Sequence, residues 1–391
     1  MPLAIYVLGL SIFAMTTSEF MVAGMMPSLA AQFGVSLTAI GYLVSAFAAS
    51  IVVGGPILTV MLLKASKKNT LLTLVALFFV SQLIGATAHS YEVMLASRVL
   101  SGVAESAFFG VSLAVCVDIV GPQRIGRASS IVLGGLMVAS VVGLPAATLI
   151  DQHLGWRASF WIVAGMMLFC GLVIAVQVPK SPKAAEISLK QEFAAFRNAD
   201  LWAAYGTSGL IIGATFAAFT YFAPIFTEVS GFSTATVPAL FACYGLATIV
   251  GTMITGRLAD KHTMGVLAVG LVILISLLAL FALKAESQAV TIVAVALLGL
   301  VGLPMNPAMA IRVMRVANNG PLVNTVHTAV INVGIVVGSW AGGSVMSAGH
   351  GLRAPLWVGV ALAIAGLVSV LPFLRRHSAE GVRARLAGAT R

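Results

Sequence analysis

Four charged residues interrupt runs that are otherwise apolar: Glu19, Arg98, Glu105 and Asp118. Glu19 lies in the uncharged stretch from Leu3 to Ala31. A carboxyl group at membrane depth costs at least ~2.5 kcal/mol on insertion scales, and such groups face a bundle interior or a water-filled path. Glu105 follows Arg98 by seven residues, two helical turns deeper on nearly the same face. Desolvation works against the charge of a carboxyl placed there, and a neighbouring guanidinium works for it. A group balanced in this way can take up and release a proton. The same residues would also serve as a fixed polar network holding two spans together.

The second half of the chain offers neutral or switchable groups instead, namely Asn306, Asn324, His327 and Asn332. His327 is either a group that changes charge near neutral pH or a packing residue. The run Gly302-Leu303-Pro304-Met305-Asn306-Pro307 breaks its span, and irregular backbone at that depth is tolerated where protein or a cavity covers it. Phe108, Phe109, Phe216, Phe219, Tyr221, Phe222, Phe241 and Tyr244, with Met137, are candidates for an apolar pocket wall, or for contacts with lipid and neighbouring helices. A cavity of that kind suits a neutral or lipophilic ligand. Cys116, Cys170 and Cys243 each lie in an apolar run without CxxC spacing, so packing thiols are expected and no metal site.

What must position these groups follows from composition. Of 391 residues, 60% are hydrophobic and 9% charged, outside the range of water-soluble globular chains. Breaking the chain at its polar and Gly/Pro clusters gives apolar segments at about 4–30, 37–63, 70–88, 92–119, 128–150, 158–178, 201–227, 236–256, 264–283, 289–311, 322–346 and 355–374. Each is long enough to cross a bilayer, which takes roughly 20 residues of helix. Lipid offers no hydrogen bonds to the backbone, so the segments must be helices. The predicted fold is all-α, a polytopic membrane protein of twelve transmembrane helices in two six-helix pseudo-symmetric bundles.

With the N-terminus in the cytoplasm, only Arg157, Lys284 and Arg353 fall outside, and Arg98 lies within a span. The remaining Lys and Arg residues, Arg312 and Arg315 among them, fall inside. That bias predicts both termini cytoplasmic, in a cell membrane, and explains the net charge of +10 without nucleic acid. The predicted domains are residues 1–178, a cytoplasmic linker at 179–200, residues 201–374 and a tail at 375–391. In the linker, Ser188 and Gln191 fit a capping box, while Leu189, Phe193 and Phe196 share a helical face, so either a surface helix or a disordered linker is expected. Basic turns follow span two (Lys64-Ala65-Ser66-Lys67-Lys68) and span eight (Gly256-Arg257-Leu258-Ala259-Asp260-Lys261), as a repeat would require.

Counted by helical rise, Glu19 lies roughly 22 Å along span one, leaving about 8 Å of a ~30 Å core, and Arg98 lies roughly 9 Å below the same boundary. They are placed to pair. Asp118, before Gly121-Pro122, is within reach of the Lys64 to Lys68 turn, or is simply an acid at a helix end that needs a compensating cation.

Gly256-Arg257-Leu258-Ala259-Asp260-Lys261 resembles the cytoplasmic loop signature of the major facilitator superfamily, and the likeness covers essentially the whole chain. The first-half copy departs from it, with Leu63 at the position of the Asp. Arg98-Val99-Leu100-Ser101-Gly102 and the stretch from Gly135 to Gly143-Leu144-Pro145 resemble motifs of its twelve-span drug:proton antiporters, the second without the full Gly-Pro-x-x-Gly-Gly ending. The opening, through Thr17-Ser18-Glu19-Phe20-Met21 to Pro27, is similar to chloramphenicol-resistance exporters and, more loosely, arabinose-type efflux permeases.

The resemblance implies proton coupling at Glu19, Arg98 and Glu105. It implies gating contacts at Lys64, Lys68, Asp118, Arg257 and Asp260, with the Asp118 contact stabilising an outward-open state. A substrate cavity is expected at Phe108, Met137, Phe216, Tyr221, Tyr244, Asn306, His327 and Asn332.

The expected function is export of small amphipathic compounds in exchange for protons by alternating access, without a cofactor and as a monomer in the lipid bilayer. A narrower permease for sugars or nucleosides is the alternative. A lipid-handling protein or membrane enzyme is a third reading, although no nucleophile–base pair or metal cluster supports catalysis. The phosphate-binding Gly-x-x-x-x-Gly-Lys-[Ser/Thr] pattern is absent, which leaves an ion gradient as the energy source.

Overall fold

The computed structural model describes residues 1–62, 66–121, 125–179, 196–317 and 321–389. Lys64, Leu63 and the linker segment 180–195 with its capping box lie outside the described residues. Among those described, the chain is helical with no strand. Its spanning helices are α1 Leu3–Gly24, α2 Leu37–Leu62, α3 Lys67–Ala86, α4 Tyr91–Val120, α5 Arg127–Leu154, α6 Trp156–Gln177 and α7 Ala199–Phe219. A continuous stretch, Val237–Lys284, comes next, then α10 Gln288–Val316, α11 Val323–His350 and α12 Ala354–Leu374.

The stretch Val237–Lys284 contains two spans. Its 48 residues would extend about 72 Å if straight, more than twice a hydrocarbon core. The backbone leaves helical geometry at His262 (φ −129°, ψ 43°). Gln288 Nε2 donates to the Gly231 carbonyl at 3.0 Å and the Ser230 and Thr291 hydroxyls meet at 3.0 Å, so both ends of the stretch lie at one end of the bundle. The chain therefore turns back at His262, giving α8 (237–261) and α9 (263–284) and twelve crossings among the described residues.

The helices are apolar around most of their circumference, as expected where lipid and neighbouring helices share the surface. Interior hydroxyls bond back to the preceding turn, as Ser11 does to the Val7 carbonyl at 2.9 Å and Thr148 to the Leu144 carbonyl at 2.9 Å. Where helices touch closely, small residues allow it. Gly135 of α5 lies against the Gly9 carbonyl of α1, and any side chain at 135 would strike backbone. Gly135→Val should therefore separate α1 from α5, with a cost at or above the ~1–3 kcal/mol typical of overpacking. Size-exclusion chromatography of the detergent-solubilised variant should show loss of the monodisperse species; wild-type behaviour would refute this packing.

The predicted break in span ten is present. Gly302 adopts φ 76°, open to glycine at little cost, and a single 3₁₀ turn, Leu303–Met305, precedes the helix Asn306–Val316. The Pro304 carbonyl freed by the break accepts from Thr255 Oγ1 of α8. Thr255→Val should lower thermal stability by about 1 kcal/mol, readable as a drop in melting temperature of the purified protein.

Arg312, assigned to a loop, is part of the helix that continues to Val316 and is only 4% exposed. The charged residues within spans are thus not confined to the first half. Arg312 Nη1 donates to Thr207 Oγ1 at 2.8 Å, and the guanidinium lies 4.6 Å from the Phe373 ring.

At the end of the bundle opposite the termini, the first six helices are joined to the last six. Ser45 and Ser339 hydroxyls lie 2.6 Å apart, Thr38 Oγ1 donates to the Gly343 carbonyl at 3.1 Å, and Ser347 donates to Thr38 at 2.8 Å. Gln152 Nε2 reaches the Thr234 carbonyl at 2.6 Å. Close by, five wide-turn residues, Ala139–Gly143, interrupt α5 and bring the Ser140 carbonyl against Gly245 of α8.

Candidate functional site

Helices α1 and α4 present the charged group of greatest interest. Glu19 stands five residues before the end of α1 and Arg98 seven residues into α4, both about 8–10 Å from the closed end. Arg98 is completely buried. Its Nη1 donates to Ser18 Oγ at 3.1 Å and its Nη2 to the main-chain carbonyl of Glu19 at 3.3 Å. The plane of the guanidinium sits over the Phe47 ring of α2, 4.2 Å from its centroid. Such a stack supplies favourable electrostatics to a cation that water does not reach.

The expected direct pairing of Glu19 with Arg98 is replaced by this bond to the carbonyl. Ion pairs within 4.0 Å among the described residues are Lys67–Asp118 and Arg353–Glu286. Glu19 is half-buried and, among the described residues, no hydrogen bond reaches its carboxylate. The guanidinium therefore supplies a nearby charge without occupying the carboxylate oxygens. Two turns along α4, Glu105 accepts from Thr16 Oγ1 at 3.5 Å, while among the described residues its Oε2 has no partner and neither has Arg98 Nε. Thr16 and Glu19 are three apart on α1, so one face of α1 serves both sites on α4. The three candidate coupling residues are thus gathered along the α1–α4 seam.

Phe20 crosses to the second half. Its ring lies 6.4 Å from Phe216 and 5.9 Å from Phe219 of α7. Phe219 in turn meets Tyr244 of α8 at 5.3 Å, and Phe222 meets Tyr244 at 5.8 Å. Phe216, Tyr221 and Tyr244, expected on a cavity wall, are buried in this packing near the closed end. Tyr221 Oη donates to the Ser339 carbonyl at 2.9 Å and fits between Gly41 and Gly343, which binds the segment just after α7 into the seam between α2 and α11. Tyr244 Oη has no hydrogen-bond partner among the described residues and borders a cavity of water size beside Thr215 and Leu298.

The other cavity candidates are dispersed. Phe108 is fully buried and Met137 half-buried, whereas Asn306 is exposed. His327 lies toward the termini, its Nε2 2.9 Å from Ser208 Oγ and its ring stacked on Tyr205 at 5.8 Å, an arrangement that serves packing. Asn332 is 6% exposed; its amide nitrogen donates to the Thr328 carbonyl at 3.0 Å and its Oδ1 has no partner among the described residues.

At the termini end Asp118 binds Lys67, with Nζ 3.0 and 2.8 Å from its two oxygens, rather than Lys68. Lys64, its other expected partner, lies outside the described residues. Arg315 donates to the Asp260 carbonyl at the corresponding corner of the second half, and Arg257 is exposed. Arg315 is 27 residues into α10 and Asp118 is 27 residues into α4, so the two corners use equivalent positions with inverted charge.

Sequence reasoning missed Ser18, Thr16, Phe20 and Phe47, which complete the site. Their signal was adjacency on α1 to Glu19, and for Phe47 an aromatic ring on the helix facing a buried cation.

Among the described residues, apolar helices of bilayer-spanning length enclose buried charge and meet at one end, the architecture of a polytopic membrane protein. The model of the Major Facilitator Superfamily matches residues 8–323, and the chain belongs to that family. It is 31% identical to the chloramphenicol resistance protein of Streptomyces lividans over 378 residues, 95% of this chain and 96% of that protein. The inner membrane transport protein YdhP of Escherichia coli (strain K12) is 29% identical, covering 94% of each. In fold it matches a bacterial homolog of the human lysosomal transporter Spinster, solved inward-facing and unoccupied, with a TM-score of 0.79, 16% identity and coverage of 95% and 97%.

Proposed function

We propose that this protein is a proton-coupled exporter of small amphipathic compounds that works by alternating access in the cell membrane. The observation that supports this most strongly is Glu19, whose carboxylate has no hydrogen-bond partner among the described residues beside a buried Arg98, next to the aromatic contacts that close the seam. Similarity to a chloramphenicol resistance protein favours efflux of lipophilic ligands. The predicted topology puts both termini in the cytoplasm and makes the closed end the outer face, as in the inward-facing neighbour.

In this reading the two six-helix halves rock about a central cavity, the chain acts as a monomer, and no cofactor is required. A proton arriving from outside occupies Glu19, with Glu105 as a second station along α4. Substrate loads from the cytoplasm or inner leaflet against the apolar lining and leaves outward. The Lys67–Asp118 ion pair lies within the first half and is formed while the outer end is closed, so its role is to tie the start of α3 to α4.

The test is expression in a drug-sensitive host. Resistance to chloramphenicol should rise, and an uncoupler should remove the increase. Protection that survives collapse of the proton gradient would count against coupling.

A further inference from the structure

Gln82 is fully buried in α3 and takes no part in the mechanism above. Its Oε1 accepts from Ser18 Oγ at 3.1 Å and its Nε2 donates to Ser101 Oγ at 3.0 Å. Ser101 in turn donates to the Ser97 carbonyl at 2.8 Å and lies 2.7 Å from Ser81 Oγ. Ser18, Ser81, Ser97 and Ser101 are all completely buried.

A serine hydroxyl has one proton and two lone pairs. Ser18 gives its proton to Gln82 and thereby turns a lone pair toward Arg98 Nη1. Because Ser101 already donates to Ser97, its oxygen is free to accept, which fixes the Gln82 amide with nitrogen toward α4 and oxygen toward α1. The chain runs from Arg98 through Ser18, Gln82 and Ser101 to a main-chain carbonyl, and beyond Arg98 it contains no titratable group. It can hold Arg98 in place without receiving the proton.

We infer that Gln82 is a positioning residue for proton coupling: through Ser18 it sets where the Arg98 guanidinium stands relative to Glu19. The inference rests on the proton-exchange reading of Glu19. Among the described residues, the charged groups acting on Glu19 are Arg98 and, through shared electrostatics, Glu105, both on α4.

Carbodiimide labelling tests this without any knowledge of the substrate, since the reagent reacts with a protonated carboxyl group. The full-length protein in proteoliposomes is labelled between pH 5 and 9, and modification of Glu19 is read by mass spectrometry. Gln82→Met keeps the length of the side chain and removes both hydrogen bonds. It should move the midpoint of Glu19 labelling by about one pH unit, the scale of a lost bond near a charge.

Ser101→Ala, which loosens Gln82 while leaving its bond to Ser18 possible, should move the midpoint by less. If Gln82 only ties helices together, both variants lower the melting temperature and leave the midpoint at the wild-type value, which would overturn the inference. If Gln82→Met does not assemble, Ser101→Ala decides alone, and an unmoved midpoint again overturns it. Wild-type labelling that does not vary with pH would instead remove the coupling reading itself.

Discussion

Glu19→Gln should bring accumulation to a stop: in proteoliposomes with a proton gradient, the variant reaches equal substrate concentration on both sides and goes no further. Glutamine preserves the shape of the side chain but cannot bind and release a proton. Arg98 keeps its bonds to Ser18 and to the residue 19 carbonyl, neither of which uses the carboxylate. Downhill exchange of substrate against substrate should therefore persist within about threefold of wild type, because the remaining structure is unaltered. Folding defects would reduce both measurements together. The informative result is a loss of uphill transport alone, and uphill transport by Glu19→Gln at the wild-type level would exclude this residue as the coupling group.

The second large effect concerns the seam. Ser45 and Ser339 hydroxyls are 2.6 Å apart and belong to α2 and α11, one from each half of the chain. Cysteines at both positions come within reach of a disulfide, whose Cβ atoms sit ~3.5–4.5 Å apart. With Cys116, Cys170 and Cys243 replaced by serine, oxidation of Ser45→Cys/Ser339→Cys should abolish transport almost completely, and a reductant should restore it. Each single variant should be unaffected by oxidation. A crosslinked protein that transported at the uncrosslinked rate would show that this contact need not open during the cycle.

The elements were legible in the sequence because bilayer-length apolar runs leave few alternatives. The α10 break was readable from Gly302 and Pro304, since one tolerates a positive φ and the other removes a donor. Arg312 was misplaced for a physical reason: the hydropathy of its span ends at Ile311, while the helix itself continues because Thr207 and Phe373 receive the guanidinium from other helices. Contacts of that kind depend on tertiary packing, which hydropathy does not encode.

The site divided along the same line. Glu19, Arg98 and Glu105 stand out because charge in an apolar run is costly, and the structure does gather them on one seam. Which atoms meet was not readable. The expected carboxylate–guanidinium contact became a contact with a carbonyl, and Asp118 met the basic turn through Lys67. Gln82 gave a fainter signal because a neutral amide is less conspicuous than a charge. The aromatic residues were identified as a group, but α7 and α8 pack Phe216, Phe219 and Tyr244 on one another in this conformation.

The joint between the halves has a consequence for how the transporter responds to its surroundings. Its hydrogen bonds run among Thr38, Ser45, Gln152, Ser339 and Ser347 and main-chain carbonyls, and none of these side chains is ionic. Salt screens charges over about 10 Å at 0.1 M and leaves neutral contacts nearly untouched. The balance between open and shut should thus be indifferent to ionic strength, so that a cell meeting a sudden change in salinity would keep its export rate, and temperature would be the stronger external influence on the cycle.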